Sequence, residues 1–576
     1  MGKPDEPMTD LKLTQPGWKH CTISGGNVSD ANAKVGDIFL RGRIERRGRP
    51  LQVEDLRECL PALLEGSVTR RDMLAKFAGF FCMAIRTPEH TFAVVDRVRS
   101  MPLFYTGSTR RTVISDSAET LRELERFERF DATRVEEFEH TGYVTGAGTL
   151  FDGLDQLQAG ECLVARHDRG TYELDRYWRF THEERRSTID STNFDDELQR
   201  ALAAVIERCL RYAKGRQIVL PLSGGYDSRL LATEFKRQKA PNLLAISYGE
   251  TDSKELSIAR RVADSLGIDW KGIVYSERDW KATSFDDERL AYQSFASNWC
   301  SLPHLQDWLA MKRLREENFF QPDCVFVPGH TGDFISGGHV PPAVFEQDQF
   351  SAAELKELIL EKHYRLKIGM DANSNHIRNE LDSVGWGMSE QSFSQSEAAS
   401  LLEEWEWQER QAKYIVNSVR IYEFFGFDWW LPMWDVEFVE HWRKVPLALR
   451  RGKSRYNEFV MRHYDEHGTT QRQEGHASNK TKWGKRIAAL GGSLVSKSVL
   501  ERIRRERKVL KVKRGFLGYK GRFGELEWKK MLRRGIPING LNIPLFLSET
   551  GRPFLVEGSD SRDGDAVRPS RSSPVG

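Results

Sequence analysis

Residues 219–232 read VLPLSGGYDSRLLA, an apolar run that stops at Ser223-Gly224-Gly225, passes Tyr226 and Asp227, and resumes with helical spacing. A strand feeding a small-residue loop lets successive backbone N–H groups face one point, and the following helix adds its positive end behind them. The stretch therefore predicts an anion-binding loop in an α/β domain. It is not the G-x-x-x-x-G-K-[ST] loop of mononucleotide kinases, whose lysine and spacing are missing. An ordinary strand-to-helix turn accounts for the glycines but leaves Ser223, Asp227 and Ser228 at these offsets unexplained.

Downstream, the apolar strands IVLPLSG, LLAISYG and CVFVPGH alternate with helical patterns, as in a mostly parallel sheet covered by helices. Upstream, an amphipathic pattern over 194–213 follows the charged bridge FTHEERRSTIDSTNFDDEL. Before that bridge come the β-like runs DIFLRGRI, FFCMAIRT, TFAVVDR, TVISDS and ECLVARH. The expected division is a flexible N-terminus at 1–17, a sheet-rich domain at 18–180, an α/β domain at 190–475, a basic extension at 476–555 and a disordered tail at 556–576. Residues 476–535 hold 19 Lys/Arg against 4 Asp/Glu. They read as helices packed through IAAL, SLVSKSVL and FLGY, with a polyanion-binding surface as the competing reading.

A chain of 576 residues exceeds one ordinary core. Its 86 Lys+Arg and 84 Asp+Glu leave a net charge of +2, so overall charge argues for neither a nucleic-acid partner nor a membrane surface. The cysteines, Cys21, Cys59, Cys82, Cys162, Cys209, Cys300 and Cys324, stand singly without zinc or disulfide spacing, which suits a reducing cytoplasm. The start MGKPDEPMTDLKLTQPGWKH has no apolar h-region, and no stretch approaches the roughly 20 apolar residues of a membrane span.

The Ser223–Ser228 loop resembles the pyrophosphate loop of the N-type ATP pyrophosphatases. VPGHTGDFISGGHV, residues 327–340, resembles the G-x-G-A-D-E-x-F-G-G-Y element of asparagine synthetases, with Gly329, Asp333, Gly337 and Gly338 in register. FGFDWWLPMWDVEFVEHWRKVP resembles that family's PFLD segment at Pro432 and Asp435, and RRGKSRYNEFV its Gly-Lys segment at Lys453. FAGFFCMAIRT, TFAVVDRVRSMPLFY and GTLFDGLDQLQAGECLV resemble its N-terminal domain, so the likeness spans roughly residues 18–465. It implies a class II glutaminase-like α+β sandwich followed by a doubly wound parallel-sheet ATP pyrophosphatase domain. The implied activity, shared in type with β-lactam synthetases and lasso-peptide cyclases, uses ATP to adenylate a substrate carboxylate, releases pyrophosphate, and passes the acyl group to ammonia or an amine. The likeness further implies that Leu222, Ser223, Gly224, Gly225, Asp227, Ser228, Ser247, Gly329 and Gly332 surround ATP, and that Asp227 and Asp333 hold Mg²⁺. Lys453 would stabilise the charge that develops. A cytoplasmic enzyme acting on small molecules is expected, and the likeness allows a homodimer.

Five departures qualify this picture. Residue 2 is Gly where the family's glutaminases expose a cysteine nucleophile, and Cys21 in CTISG follows 20 residues. Arg41-Gly42 stands where the oxyanion Asn-Gly is expected, and the glutamine-binding region between Cys21 and Arg41 is short, so the first domain reads as an inactive scaffold. His330 stands where relatives carry Glu or Tyr; a histidine of ordinary pKa, about 6.5, could act as a base or serve as loop scaffolding. Phe334 replaces a second acid, which weakens aspartate as substrate. True asparagine synthesis remains an alternative. Adenylation of a nucleobase or tRNA, gripped by 476–535, is another, and so is a binding protein with a vestigial nucleotide site. Trp405, Trp407, Trp429, Trp430, Trp434 and Trp442 read as core.

Overall fold

The computed structural model describes residues 9–24, 34–107, 112–168, 171–184, 187–367, 392–468, 518–534, 537–551 and 554. The first eight residues, positions 476–517 of the basic segment and the tail at 556–576 lie outside them.

Ten N-terminal strands form two sheets: β1 (Thr9–Lys12), β2 (Trp18–Ser24), β3 (Lys34–Gly42), β4 (Phe81–Arg86), β5 (His90–Val95), β6 (Phe104–Gly107), β7 (Thr112–Ser115), β8 (Leu154–Gln156), β9 (Glu161–Arg166) and β10 (Thr171–Arg176). A six-stranded antiparallel sheet runs β10-β9-β5-β4-β3-β2, and a four-stranded sheet runs β1-β7-β6-β8. Alternation divides the larger sheet's side chains. Cys82, Ala93, Val95 and Leu163 meet Leu103, Tyr105 and Ile114 in one core, while Met83, Ile85, Phe92, Val94 and Val164 turn the other way into a second. Both faces are covered, which is why FFCMAI and TFAVV are apolar without a break.

The edge strand β1 was not expected, because residues 1–17 read as flexible. Thr9–Lys12 pairs in parallel with β7, and Asp116 accepts the Thr14 and Gln15 N–H groups, each at 2.8 Å, and the Trp18 indole at 2.7 Å. These partners lie about a hundred residues away, beyond the reach of local pattern.

The second architecture is a five-stranded sheet, parallel throughout, built from β11 (Ile218–Pro221), β12 (Leu243–Gly249), β13 (Asp269–Val274), β14 (Val325–Phe326) and β15 (Asp428–Trp429) in the order β13-β12-β11-β14-β15. The chain steps outward from β11 through β13, then returns to its other side for β14. The order reverses between β11 and β14, where open α/β sheets bind ligands at the carboxyl ends of their strands. Helix α1 (Phe194–Ala213) enters this sheet, α2 (Tyr226–Arg237) follows the Ser-Gly-Gly loop, and α3 (Ser454–His467) packs beside α2.

The largest hydrophobic cluster runs from Cys21 to Tyr519, so the antiparallel sheet and the α/β layers share one core. All six tryptophans read as core are buried. Of the basic segment, residues 518–534 are folded: Tyr519 packs on Trp280 at 4.5 Å, and Lys520 and Arg522 pair with Glu277 and Glu549. In the following helix, α4 (Ile538–Glu549), Ile543, Phe546 and Leu547 complete a cluster with Phe104, Phe138 and Trp299. All seven cysteines are free and buried, and no described helix is long and apolar enough to cross a membrane.

Candidate functional site

The site begins where β11 ends. Leu222 donates its N–H to the Ile246 carbonyl at 2.8 Å, and the Ser247 hydroxyl donates to the Leu222 carbonyl at 2.5 Å while accepting the Trp270 indole at 2.9 Å. Ser247, assigned to the nucleotide from sequence, thus has its hydroxyl committed to the scaffold. Beyond Leu222 the loop closes on itself: the Ser223 and Ser228 hydroxyls are 3.0 Å apart, Ser228 Oγ accepts the Ser223 N–H, and Ser223 Oγ accepts the Gly225 N–H at 3.2 Å. Gly225 begins α2 without a side-chain cap, which leaves first-turn donors at the helix's positive end.

The glycines of the second motif are explained by close approach. A Cβ on Gly329 would lie 2.8 Å from the Ser228 nitrogen, and one on Gly332 would lie 2.4 Å from Asp227 Cγ. One on Gly337, at φ 87°, would meet the Arg450 carbonyl at 2.7 Å, and one on Gly338 would lie 3.0 Å from Lys453 Cδ. Through these contacts residues 329–338 seat directly on the first motif and on the Gly-Lys segment. Thr331, in the place of the second glycine of the G-x-G pattern, sits at φ 86°, a strained backbone for a β-branched residue. Its hydroxyl lies 3.4 Å from the Gln411 side-chain oxygen and 3.1 Å from His330 Nδ1.

Asp227 accepts the Tyr456 hydroxyl at 2.8 Å and the Asp333 N–H at 3.1 Å; burial pushes its pKa up, opposed by Tyr456 and Lys453. Asp333 is 56% exposed and forms an ion pair with Lys453. Gly452 and Lys453 both adopt positive φ, a turn that carries the lysine across to Asp333 at the start of α3. Burial lowers the Lys453 pKa and Asp227 opposes the shift, while Nζ stands 5.7 Å from the Tyr226 ring centroid. His330 departs from the ordinary histidine expected of a base. Burial pushes its pKa down to about 3, its Nδ1 engages Thr331, and its buried Nε2 has no partner. It is neutral at physiological pH and too weakly basic for efficient proton abstraction there.

Beside this cluster opens a cavity of about 420 Å³, lined by Gly338, His339, Lys362, Arg365, Glu406 and Arg410 with apolar walls at Val340, Pro342 and Leu358. Glu406 is held as an anion by His339, Lys362 and Arg410, and its pKa is well below the usual carboxylate range despite burial. Tyr456, His339 and Glu406 were not singled out from sequence. Only Tyr456 left a signal there, one helical turn beyond Lys453. Asp435 proves structural: it receives the Glu437 N–H at 3.2 Å as a helix cap and pairs with Arg208 of α1.

The N-terminal counterpart differs. Cys21 lies within β2, buried, with the Arg57 guanidinium 2.9 Å from its Sγ. Arg41, in the oxyanion position, reaches across to Glu423 of the α/β half at 3.1 Å.

A family model described as asparagine synthase matches residues 197–503, just over half the chain. Among solved structures, an NH3-dependent NAD synthetase from Campylobacter jejuni is similar at 18% identity and a TM-score of 0.19, covering 26% of this chain and 61% of its own. An allosteric regulatory enzyme of purine biosynthesis aligns at 10% identity and a TM-score of 0.19, covering 54% and 56%. A glutamine phosphoribosylpyrophosphate amidotransferase from B. subtilis aligns at 11% identity and a TM-score of 0.18, covering 55% and 64%. The chain thus spans about three fifths of the length of each of these structures. No curated protein sequence matches it.

Proposed function

The chain belongs to the asparagine synthase family, and from that premise we propose that it is an AMP- and pyrophosphate-forming amide ligase. The observation that carries this reading is convergence: the Ser223–Ser228 loop, the Asp227–Asp333 pair and Lys453 meet at the carboxyl edge of a parallel sheet, where its strand order reverses. ATP binds with its phosphates on the uncapped N-terminus of α2, and the substrate carboxylate attacks the α-phosphorus. Pyrophosphate leaves, and an amine or ammonia then displaces AMP from the acyl carbon. Lys453, half-buried, supplies fixed positive charge where negative charge develops.

Two carboxylates beside a phosphate loop are oxygen donors that suit Mg²⁺, so Asp227 and Asp333 would hold it. When bound, the ion neutralises the phosphates. Tyr456 orients Asp227 for that role. The cavity behind Gly338 receives the remote end of the substrate; its charged lining is Glu361, Lys362, Arg365, Glu406 and Arg410, with Lys362 and Arg410 paired to Glu406, which leaves Arg365 as the cation facing it without that partner. Neutral His330 acts as scaffolding for the Thr331 turn rather than as the amine's base.

The nitrogen comes from ammonia or an amine, because Cys21 is embedded in a strand and the oxyanion position is an ion-paired arginine. Exchange of labelled pyrophosphate into ATP tests the reading. It should require both Mg²⁺ and a carboxylate substrate, and exchange without either sinks the proposal. Among the described basic residues, Lys520 and Arg522 pair with Glu277 and Glu549, whereas Lys529, Lys530 and Arg533 are exposed.

A further inference from the structure

Helices α2 and α3 are clasped at two points. Asp227 of α2 accepts the Tyr456 hydroxyl of α3 at 2.8 Å, and Glu234 meets His463 Nε2 at 3.0 Å. Each pair lies two helical turns beyond its predecessor, so the helices run side by side in register. The first clasp belongs to the phosphate site. The second opens onto a group of side chains that the ligase chemistry does not use.

That group is His463, Glu466 and His467, the H-Y-D-E-H end of α3, where one ligand atom from each residue lies within 4.8 Å of the others. Spacing of three and four puts all three on one helix face. The hydrogen bonds fix both imidazole tautomers. Glu234 is fully buried and its two oxygens also accept from Arg237 and Gln238, so they act as acceptors. His463 Nε2 therefore donates to Glu234, and the lone pair of the neutral ring lies on Nδ1. His467 Nδ1 lies 2.9 Å from the His463 carbonyl, which also can only accept, so the lone pair of His467 is on Nε2. Each histidine therefore offers one bare nitrogen, and His463 is backed by a buried carboxylate, as metal-ligating histidines commonly are.

We propose that His463, Glu466 and His467 form a zinc site, with water as fourth ligand and Glu234 as the positioning carboxylate behind His463. Two imidazoles and one carboxylate suit Zn²⁺ better than Mg²⁺, which prefers oxygen donors. The site lies about 15 Å along α3 from Lys453. An ion there would tie together the last turn of α3, whose His463 bonds Glu234 of α2. The proposal is independent of the ligase reading.

The test uses metal-stripped full-length protein titrated calorimetrically with Zn²⁺, and with Co²⁺ followed by its visible absorption. Wild type should bind one equivalent and gain thermal stability, because the ion binds the folded state. His467→Ala, at an exposed position, and Glu466→Gln should each lose affinity by at least about tenfold, and Glu234→Gln by about 10- to 100-fold through His463. Wild type and His467→Ala binding Zn²⁺ equally, or wild type failing to bind it, would overturn the site.

Discussion

At the carboxyl edge of the parallel sheet, Gly329, Gly332, Gly337 and Gly338 remain where a side chain would strike Ser228, Asp227, Arg450 or Lys453. On the antiparallel sheet, the cysteine is buried in mid-strand, and the oxyanion position carries a guanidinium bound to Glu423. In the first region close approaches bring Asp227 and Lys453 together; in the second the apolar strands persist, Cys21 faces Arg57 of its own half, and Arg41 crosses to Glu423 of the other. A β-sandwich needs only pattern and volume to persist, whereas a phosphate site needs particular atoms at particular distances.

The largest effect that could break this contrast is at the carboxylates. Asp227→Ala and Asp333→Ala should each lower pyrophosphate exchange by about 10³-fold or more, as loss of a transition-state charge partner does. Near-normal exchange in either variant would remove the paired site. Next, Arg41→Ala leaves Glu423 with Arg420 and the Trp429 indole, so a cost of about 3 kcal/mol is expected, at the low end for a broken buried pair. Denaturant unfolding measures it, and exchange by the folded fraction should be unchanged. A loss of exchange with stability intact would show that Arg41 serves chemistry after all.

Gly332→Ala places a methyl group against Asp227 and should cost about 10²-fold in exchange through displacement of that carboxylate. Circular dichroism should show a folded protein; equal activity would mean that the loop relaxes and that the close approach is incidental. The smallest expected effect is at Cys21. Cys21→Ser should leave ammonia-dependent activity unaltered, and neither protein should release glutamate from glutamine. Robust release by wild type that disappears in the variant would reverse the comparison and restore a working glutaminase.

Local sequence determined a good deal. The apolar runs and the Ser-Gly-Gly loop announced a parallel sheet with a tight strand-to-helix loop, because strand, turn and helix propensities act over a few residues. The motif glycines pointed to the second loop, and Lys453 to the third. Tertiary structure decided the rest. That Gly332 faces Asp227 and that Tyr456 holds it depend on segments meeting across more than a hundred residues. His330 shows the limit most clearly. Its identity gave a plausible base, but its proton affinity is set by burial, and burial pushes the pKa down to about 3. A residue's chemistry is written in the sequence only as far as its solvent is, and the fold chooses the solvent.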